Sequence, residues 1–449
     1  MTYHAQHALL GGATASELRI DVSDGRITAI VPGTPPPRDA IRLVGLTLPG
    51  FANAHSHAFH RALRGRTQAG RGTFWTWRAL MYDLAGRLDP DQYYALARAT
   101  YAEMAMSGIT CVGEFHYLHH AVRAEPYDDP NEMAHSLVVA AAEAGIRITL
   151  LDTLYLNSTV DGAPLVGAQR RFGDASFDAW ADRVSSLPTS PHMRAGVAAH
   201  SVRAVPADLL PGMVAVAAGR PLHLHLSEQR AENEACLARY GRTPAQVLAD
   251  AGALGPTTTA VHATHLSNVD IDLIGDSRTR VCLCPTTERD LGDGIGPGRA
   301  LADAGSPLCL GSDSHALIDF FEEARAVELD ERLRTEQRGH FDAAQLLAAA
   351  TVDGHAALGW GDAGSLAVGS RADLVTVRLD TVRTAGYDDP ATAVLFGATA
   401  ADVTDVIVDG RTVVASGEHL LVDDVPSALH VAIREVFGRA EPQVGGSQR

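Results

Sequence analysis

Leu46-Thr47-Leu48-Pro49-Gly50-Phe51-Ala52-Asn53-Ala54-His55-Ser56-His57 is an apolar run that ends in two histidines one residue apart. In an extended strand alternate side chains share a face, so His55 and His57 point the same way. Neutral imidazole is a common zinc ligand. The run therefore has the form of a metal site at the end of a barrel strand. Two histidines alone do not complete a site, and a pair of polar loop histidines looks the same among the 20 in the chain. The deciding question is whether other strand ends supply the missing ligands.

Downstream, apolar strands alternate with amphipathic helices, the pattern of parallel βα units. Candidate strands end near His57, Tyr117, Leu156, His200, Glu228, Leu266, Pro285 and His315. Helix ends are marked between them. Asp89-Pro90 opens one helix and Gly108 stops it; Asn131 opens another with Gly145 just past its end; Thr243-Pro244 opens a third. The expected fold class is α/β, a (β/α)8 TIM barrel over residues 48–361. Both chain ends have a different texture. Leu18–Val22 and Arg26–Val31 flank Asp24-Gly25, a hairpin signal, and Ala372–Val377 and Val406–Val414 repeat that pattern near the C-terminus. We expect residues 1–47 and 362–425 to join in one small β-sandwich domain. Residues 426–449 then form a C-terminal helix and a disordered tail, Glu441–Arg449 above all.

The 449 residues are 46% hydrophobic, ordinary for a globular chain with one large core and a smaller one. No apolar run is long enough for a membrane helix, and the N-terminus lacks a basic segment followed by an apolar one. Cys111, Cys282, Cys284 and Cys309 lie in strand-like runs and Cys236 in a helical one. They read as buried thiols in a reducing compartment, so a cytoplasmic location is expected. The balance of 37 basic to 54 acidic residues, net −17, argues against nucleic acid and anionic membranes as partners. An anionic substrate then needs arginines placed at the site. All 37 basic residues are arginine. The absence of lysine excludes a Schiff base, a phosphate-loop lysine and any metal pair bridged by a modified lysine.

In a barrel of this kind the chemistry sits at the C-terminal ends of the strands, and there the polar residues form a set. The fifth strand reads Leu222-His223-Leu224-His225-Leu226-Ser227-Glu228, the sixth Ala260-Val261-His262-Ala263-Thr264-His265, and the eighth Cys309-Leu310-Gly311-Ser312-Asp313-Ser314-His315. A catalytic zinc takes a few nitrogen or oxygen ligands and keeps one position open for water. His55, His57, His225 and Asp313 supply three imidazoles and a carboxylate. Glu228, three residues past His225, is placed to shuttle a proton to and from the attacking water. His262 holds that water or polarises the substrate, and Asp313 doubles as ligand and base. His223 lies deeper and reads as structural.

This order of residues resembles the amidohydrolase superfamily, over nearly the whole chain, including Gly364-Ser365-Leu366-Ala367-Val368-Gly369-Ser370-Arg371-Ala372-Asp373-Leu374. Members with two metals commonly bridge them with a carboxylated lysine at strand four. Here strand four ends in His200, so the resemblance is to the one-metal deaminase branch. It implies one divalent ion, zinc or alternatively iron(II), and a homodimer. It also favours His262 over His265. The segments Phe74–Tyr82, Glu114–His120, His200–Val205 and Thr286–Gly294 are similar to those of the formimidoylglutamate deiminases. That likeness implies hydrolysis of N-formimidoyl-L-glutamate to N-formyl-L-glutamate and ammonia, in histidine degradation. One position departs from it: His60 stands where the family has glutamine.

Such a substrate is a small dicarboxylate with a cationic amidine head. Arginine grips carboxylates with two parallel hydrogen bonds. Arg203, at a strand end, and Arg78, in an aromatic-rich loop, are the candidates, with surface ion pairing or packing on Trp75 or Trp77 as the alternatives. Tyr117, His200 and His60 complete the expected substrate contacts. His116, His119 and His120 shape their loop, and the glycine-rich stretch from Arg64 to Thr76 is a candidate lid. The rival activity is deamination of a ring amidine such as guanine or another aminopurine, which has no need for paired arginines. A non-catalytic barrel kept as a binding module is a more distant alternative, disfavoured by the complete ligand set.

Overall fold

The computed structural model of the protein describes residues 1–438. Four strands come first: β1 (Thr2–Leu10), β2 (Ala13–Ser23), β3 (Arg26–Val31) and β4 (Ile41–Pro49). Eight more follow: β5 (Phe51–Ser56), β6 (Ile109–His116), β7 (Arg147–Leu154), β8 (Met193–Ala199), β9 (Leu222–Leu226), β10 (Thr258–His262), β11 (Arg280–Leu283) and β12 (Leu308–Leu310). The last four are β13 (Leu374–Val377), β14 (Val403–Val408), β15 (Arg411–Ala415) and β16 (Glu418–His419).

Strands β5 to β12 pair in sequence order, all parallel, with helices between them. Their burial patterns are almost unbroken, as expected for strands covered on both faces. The sheet closes into a barrel through a bridge between Ser56 and Asp313. The Asp313 amide donates to the His55 carbonyl (3.0 Å) and the His57 amide to the Asp313 carbonyl (3.2 Å). The seam of the barrel thus lies at the residues singled out by sequence. Gly311 is required there. A Cβ at that position would sit 2.7 Å from the His55 Cβ and 2.9 Å from its carbonyl oxygen.

Cys111, Cys282, Cys284 and Cys309 are buried free thiols packed with Ala52, Ala54 and Val261 inside the barrel. Leu358 and Trp360 close its base. The Leu358 carbonyl accepts from Thr149 Oγ1 (2.8 Å), and Trp360 Nε1 donates back to the same hydroxyl (2.9 Å). His223, deep in the barrel, bonds the Ala357 carbonyl through Nε2 (3.0 Å) and is structural, as expected.

The remaining strands form one continuous mixed sheet in the order β16-β15-β14-β13-β4-β1-β2-β3. Strand β4 joins the two chain ends, pairing parallel with β1 and antiparallel with β13. It runs through Gly50 directly into β5. Asp24-Gly25 makes the β2–β3 turn with φ of 51° and 74°, the left-handed pair an Asp-Gly hairpin favours. The expected helix starts are present. Asp89 caps Pro90–Met106, Asn131 precedes Glu132–Ala144, and Thr243 caps Pro244–Asp250. The helix Val425–Phe437 packs on Pro90–Met106. The expected disordered stretch Glu441–Arg449 lies outside the described residues.

Candidate active site and metal centre

Strand β5 delivers His55 and His57, β9 delivers His225, and the turn after β12 delivers Asp313. Asp313 Oδ1 lies 3.3 Å from His55 Nε2 and 3.4 Å from His57 Nε2. His225 Nε2 is 3.1 Å from His55 Nε2. All four candidate ligand atoms fall within 4.8 Å of one another. His57 Nδ1 faces the Phe115 carbonyl (2.9 Å) and His225 Nδ1 the His200 carbonyl (2.8 Å). A ring nitrogen against a carbonyl carries the hydrogen, which leaves Nε2 of both rings as a bare lone pair. Two bare nitrogens, a third imidazole and a carboxylate oxygen therefore converge on one point. No single proton satisfies them all, and a divalent cation does. The residues fit a metal.

Electrostatics agree. Burial holds His55 below its ordinary range and His57 and His225 well below it, so the imidazoles stay neutral and available as ligands. Burial alone would raise Asp313. The hydrogen bond and charge of His55, with His262 and His57, instead hold it well below the usual carboxylate range. The backbone is bent sharply at the same strand ends. Ser227, His262, Ala263 and Asp313 have φ of 52°, 67°, 52° and 39°. Left-handed backbone at non-glycine residues is costly and tends to cluster at functional sites.

His262, at the end of β10, sits beside the cluster with Nε2 3.8 Å from Asp313 Oδ2. Its Nδ1 meets Glu288 Oε1 at 3.3 Å, and that oxygen also accepts from the Cys284 amide (2.9 Å). Burial opposes charge on His262, but the Glu288 hydrogen bond and the charges of Glu228 and Asp313 outweigh it and raise the ring to about 10. Glu228 is half-buried and lines the same cavity as His57, His225, His262 and Asp313. Among the described residues its carboxylate has no hydrogen-bond partner. Burial raises its pKa, with Asp313 adding to the shift and His262 opposing it.

The cavity wall carries the expected substrate residues. Arg78, Arg203, Tyr117, His200 and His60 all line it. Arg203 Nη1 donates to the Tyr155 hydroxyl (3.1 Å), and Arg78 Nε donates to the Tyr82 hydroxyl (2.7 Å). Among the described residues neither guanidinium pairs with a carboxylate, so Arg203 is not a surface ion-pair residue. Arg78 lies 5.0 Å over the Tyr82 ring and 5.7 Å from that of Trp75, so it packs on aromatic faces and lines the cavity as well. His60 Nε2 bonds the Tyr117 hydroxyl (3.1 Å), and burial takes its pKa down to about 3, so it is a neutral wall residue. The cavity opens past Arg78 and Arg203 into an outer chamber of about 440 Å³.

Other histidines stand apart. His116 and His119 bond each other (3.3 Å), and His120 bonds the Gly173 carbonyl (2.9 Å). His265 lies on an outer surface cleft with Asp293. Glu288 and Tyr82 lie within the segments Thr286–Gly294 and Phe74–Tyr82 but have no role assigned from sequence, and Tyr155 and Gln169 lie outside all of those segments. Glu288 was findable as the acid that follows the β11 strand end. The tyrosines look like ordinary core aromatics until the arginines are seen on them. The stretch from Arg64 to Thr76 is tied down by Gln68 Nε2 on Asp290 (2.8 and 2.9 Å) and by Arg66, 4.0 Å over the Phe437 ring.

Comparison with known proteins places this geometry. The model of the amidohydrolase family matches residues 46–413. The chain is 36% identical over 430 residues to the formimidoylglutamate deiminase of Pseudomonas aeruginosa, covering 92% of this chain and 95% of that one. It is 29% identical to the 8-oxoguanine deaminase of the same organism, covering 88% and 89%. A crystal structure of an amidohydrolase from Brucella melitensis superposes with a TM-score of 0.91 at 33% identity, covering 97% of this chain and all of that one (100%). A zinc-bound adenosine deaminase from Xanthomonas campestris superposes with a TM-score of 0.85 at 25% identity, covering 97% of each. The chain belongs to the amidohydrolase family and is a hydrolase of carbon–nitrogen bonds.

Proposed function

We propose that the protein hydrolyses N-formimidoyl-L-glutamate to N-formyl-L-glutamate and ammonia, a step of histidine degradation, with one divalent ion, zinc or alternatively iron(II). The observation that carries this reading is the pair of guanidiniums, Arg78 and Arg203, which line the cavity and, among the described residues, form no ion pair with a carboxylate. In a protein of net charge −17, two such cations at one cavity call for a ligand with two carboxylates. The similarity to the Pseudomonas aeruginosa enzyme supports the same substrate. A single ion is supported by the lack of lysine, which removes the bridging group of two-metal relatives. Zinc is supported by the ion in the Xanthomonas campestris structure.

His55, His57, His225 and Asp313 would hold the ion. When bound, it supplies Lewis-acid activation of water. Glu228, which has no hydrogen-bond partner among the described residues, accepts the proton of the attacking water. Asp313 and His262 orient that water, and His262, protonated between carboxylates, stabilises negative charge developing on oxygen. Attack on the formimidoyl carbon forms the new carbon–oxygen bond. Glu228 passes its proton to the terminal nitrogen, Asp313 takes the remaining proton of the new hydroxyl as the carbonyl forms, the carbon–nitrogen bond breaks, and ammonia leaves behind a formyl amide. Arg78 and Arg203 hold the two carboxylates, while Tyr117, His200 and His60 bound the space between them and the amidine.

Replacing Arg203 with Met tests the reading. KM for the dicarboxylate is expected to rise by about tenfold or more, the size of one lost charged hydrogen bond, while metal content stays unchanged. An unchanged KM would remove Arg203 from the site and the dicarboxylate with it.

A further inference from the structure

The two arginines are not independent. Gln169, buried on the short 3₁₀ turn Gly167–Arg171, lies behind the cavity wall. Its Nε2 donates to the Tyr82 hydroxyl at 3.1 Å and to the Tyr155 hydroxyl at 3.2 Å. Each of those oxygens also accepts from one arginine, Tyr82 from Arg78 and Tyr155 from Arg203. The result is a continuous bridge, Arg78–Tyr82–Gln169–Tyr155–Arg203. The amide orientation is fixed, because Gln169 Oε1 accepts from the Val166 amide (3.3 Å) and the NH2 group must face the tyrosines. Each phenol oxygen accepts two hydrogen bonds, so its own hydrogen has to point elsewhere. Both tyrosines line the cavity. Each arginine–tyrosine pair can therefore present N–H and O–H donors to one carboxylate.

We propose that Gln169 is a positioning residue that sets the separation of the two arginine–tyrosine pairs, and so matches the site to a dicarboxylate of glutamate length. This rests on the dicarboxylate reading above. Gln169 touches no substrate. It acts by joining two carboxylate sites that belong to different parts of the chain, the helix Phe74–Ala85 and the segments that follow β7 and β8. A rigid spacing rewards the chain length that fits it and penalises a shorter one.

The test is steady-state kinetics of the metal-loaded Gln169→Met enzyme on N-formimidoyl-L-glutamate, N-formimidoyl-L-aspartate and the monocarboxylate N-formimidoyl-L-norvaline. Methionine keeps the volume and removes both donors. KM for the glutamate compound is expected to rise about tenfold with kcat within about threefold, and the glutamate-over-aspartate preference in kcat/KM to shrink by about tenfold. The norvaline compound, with one carboxylate, is expected to change by less than about threefold. In a Tyr155→Phe background, where the bridge is already cut, the same substitution is expected to alter the preference by less than about twofold. Should Gln169→Met not fold, Tyr82→Phe cuts the other arm and is expected to reduce the same preference. A preserved preference, or a common loss of kcat on all three compounds, would overturn the proposal. Wild-type enzyme inactive on both dicarboxylates would overturn the substrate reading and the proposal together; active wild-type with an unaffected variant overturns the proposal alone.

Discussion

Glu228 and His262 show how burial divides roles among neighbouring residues. Glu228 is a carboxylate with no hydrogen-bond partner among the described residues, and His262 is an imidazole crowded by carboxylates. Replacing Glu228 with Ala is expected to remove most of kcat, by about 10²-fold or more for a general acid–base group, with bound metal retained in elemental analysis. Turnover surviving within a few-fold would exclude the shuttle. The pH dependence has a definite sign. The working form is the carboxylate, and burial lifts its pKa above the ordinary 4.5. Activity of the metal-loaded enzyme should therefore rise with pH through a midpoint above 4.5, and a pH–kcat profile with metal content checked at each point measures it. The position of these residues was legible in the sequence. His-x-His, His225, Glu228, His262 and Asp313 each follow an apolar run, so strand-end placement pointed to them, and the family resemblance favoured His262 over His265. Glu288 was less legible because its value lies in one contact with His262 across two strands. The bridge through Gln169 was invisible, since none of its members is adjacent to another in the chain.

At the scale of elements, the barrel seam is where architecture and chemistry meet. Backbone hydrogen bonds between β5 and the turn after β12 both close the sheet and aim three of the four candidate ligands. Gly311 permits that approach. Its substitution by Ala places a methyl group 2.7 Å from the His55 Cβ, and overpacking of this kind costs about 1–3 kcal/mol. Gly311→Ala should lower both the unfolding midpoint and the metal occupancy, checked by thermal melts with and without added zinc. The alternation of strands and helices was readable because fully buried parallel strands leave near-continuous apolar runs. Strand ends fell within a few residues of expectation. The pairing of the small domain was less so. Short alternating strands at both termini implied a shared domain, but only hydrogen-bond register shows that β4 joins the halves in one mixed sheet.

For the molecule as a whole, the small sheet is fastened to the barrel by charge. Arg147, at the start of β7, forms a buried bidentate pair with Asp373, next to β13, and also meets Asp409 at 3.1 Å. Trp360 stacks beside Arg147 at 5.1 Å. Removing one partner of a buried pair is costly, so Asp373→Ala should destabilise the protein by about 3 kcal/mol, read from denaturant unfolding. Burial would raise Asp373, but Arg147 holds it below its ordinary 3.8. Its contribution is therefore complete above the unfolded value and is lost as pH falls through the lower, folded one. Net charge was informative at this scale too. In a strongly acidic chain, arginines that line a cavity and, among the described residues, form no ion pair are conspicuous, and the proposed substrate rests on them. That assignment is tested most directly by ammonia release from the metal-loaded enzyme given N-formimidoyl-L-glutamate, N-formimidoyl-L-aspartate, guanine and 8-oxoguanine in parallel. Turnover of the glutamate compound is expected, preferred over the aspartate compound by about tenfold or more, with none of either purine; ammonia from a purine alone would contradict the dicarboxylate reading.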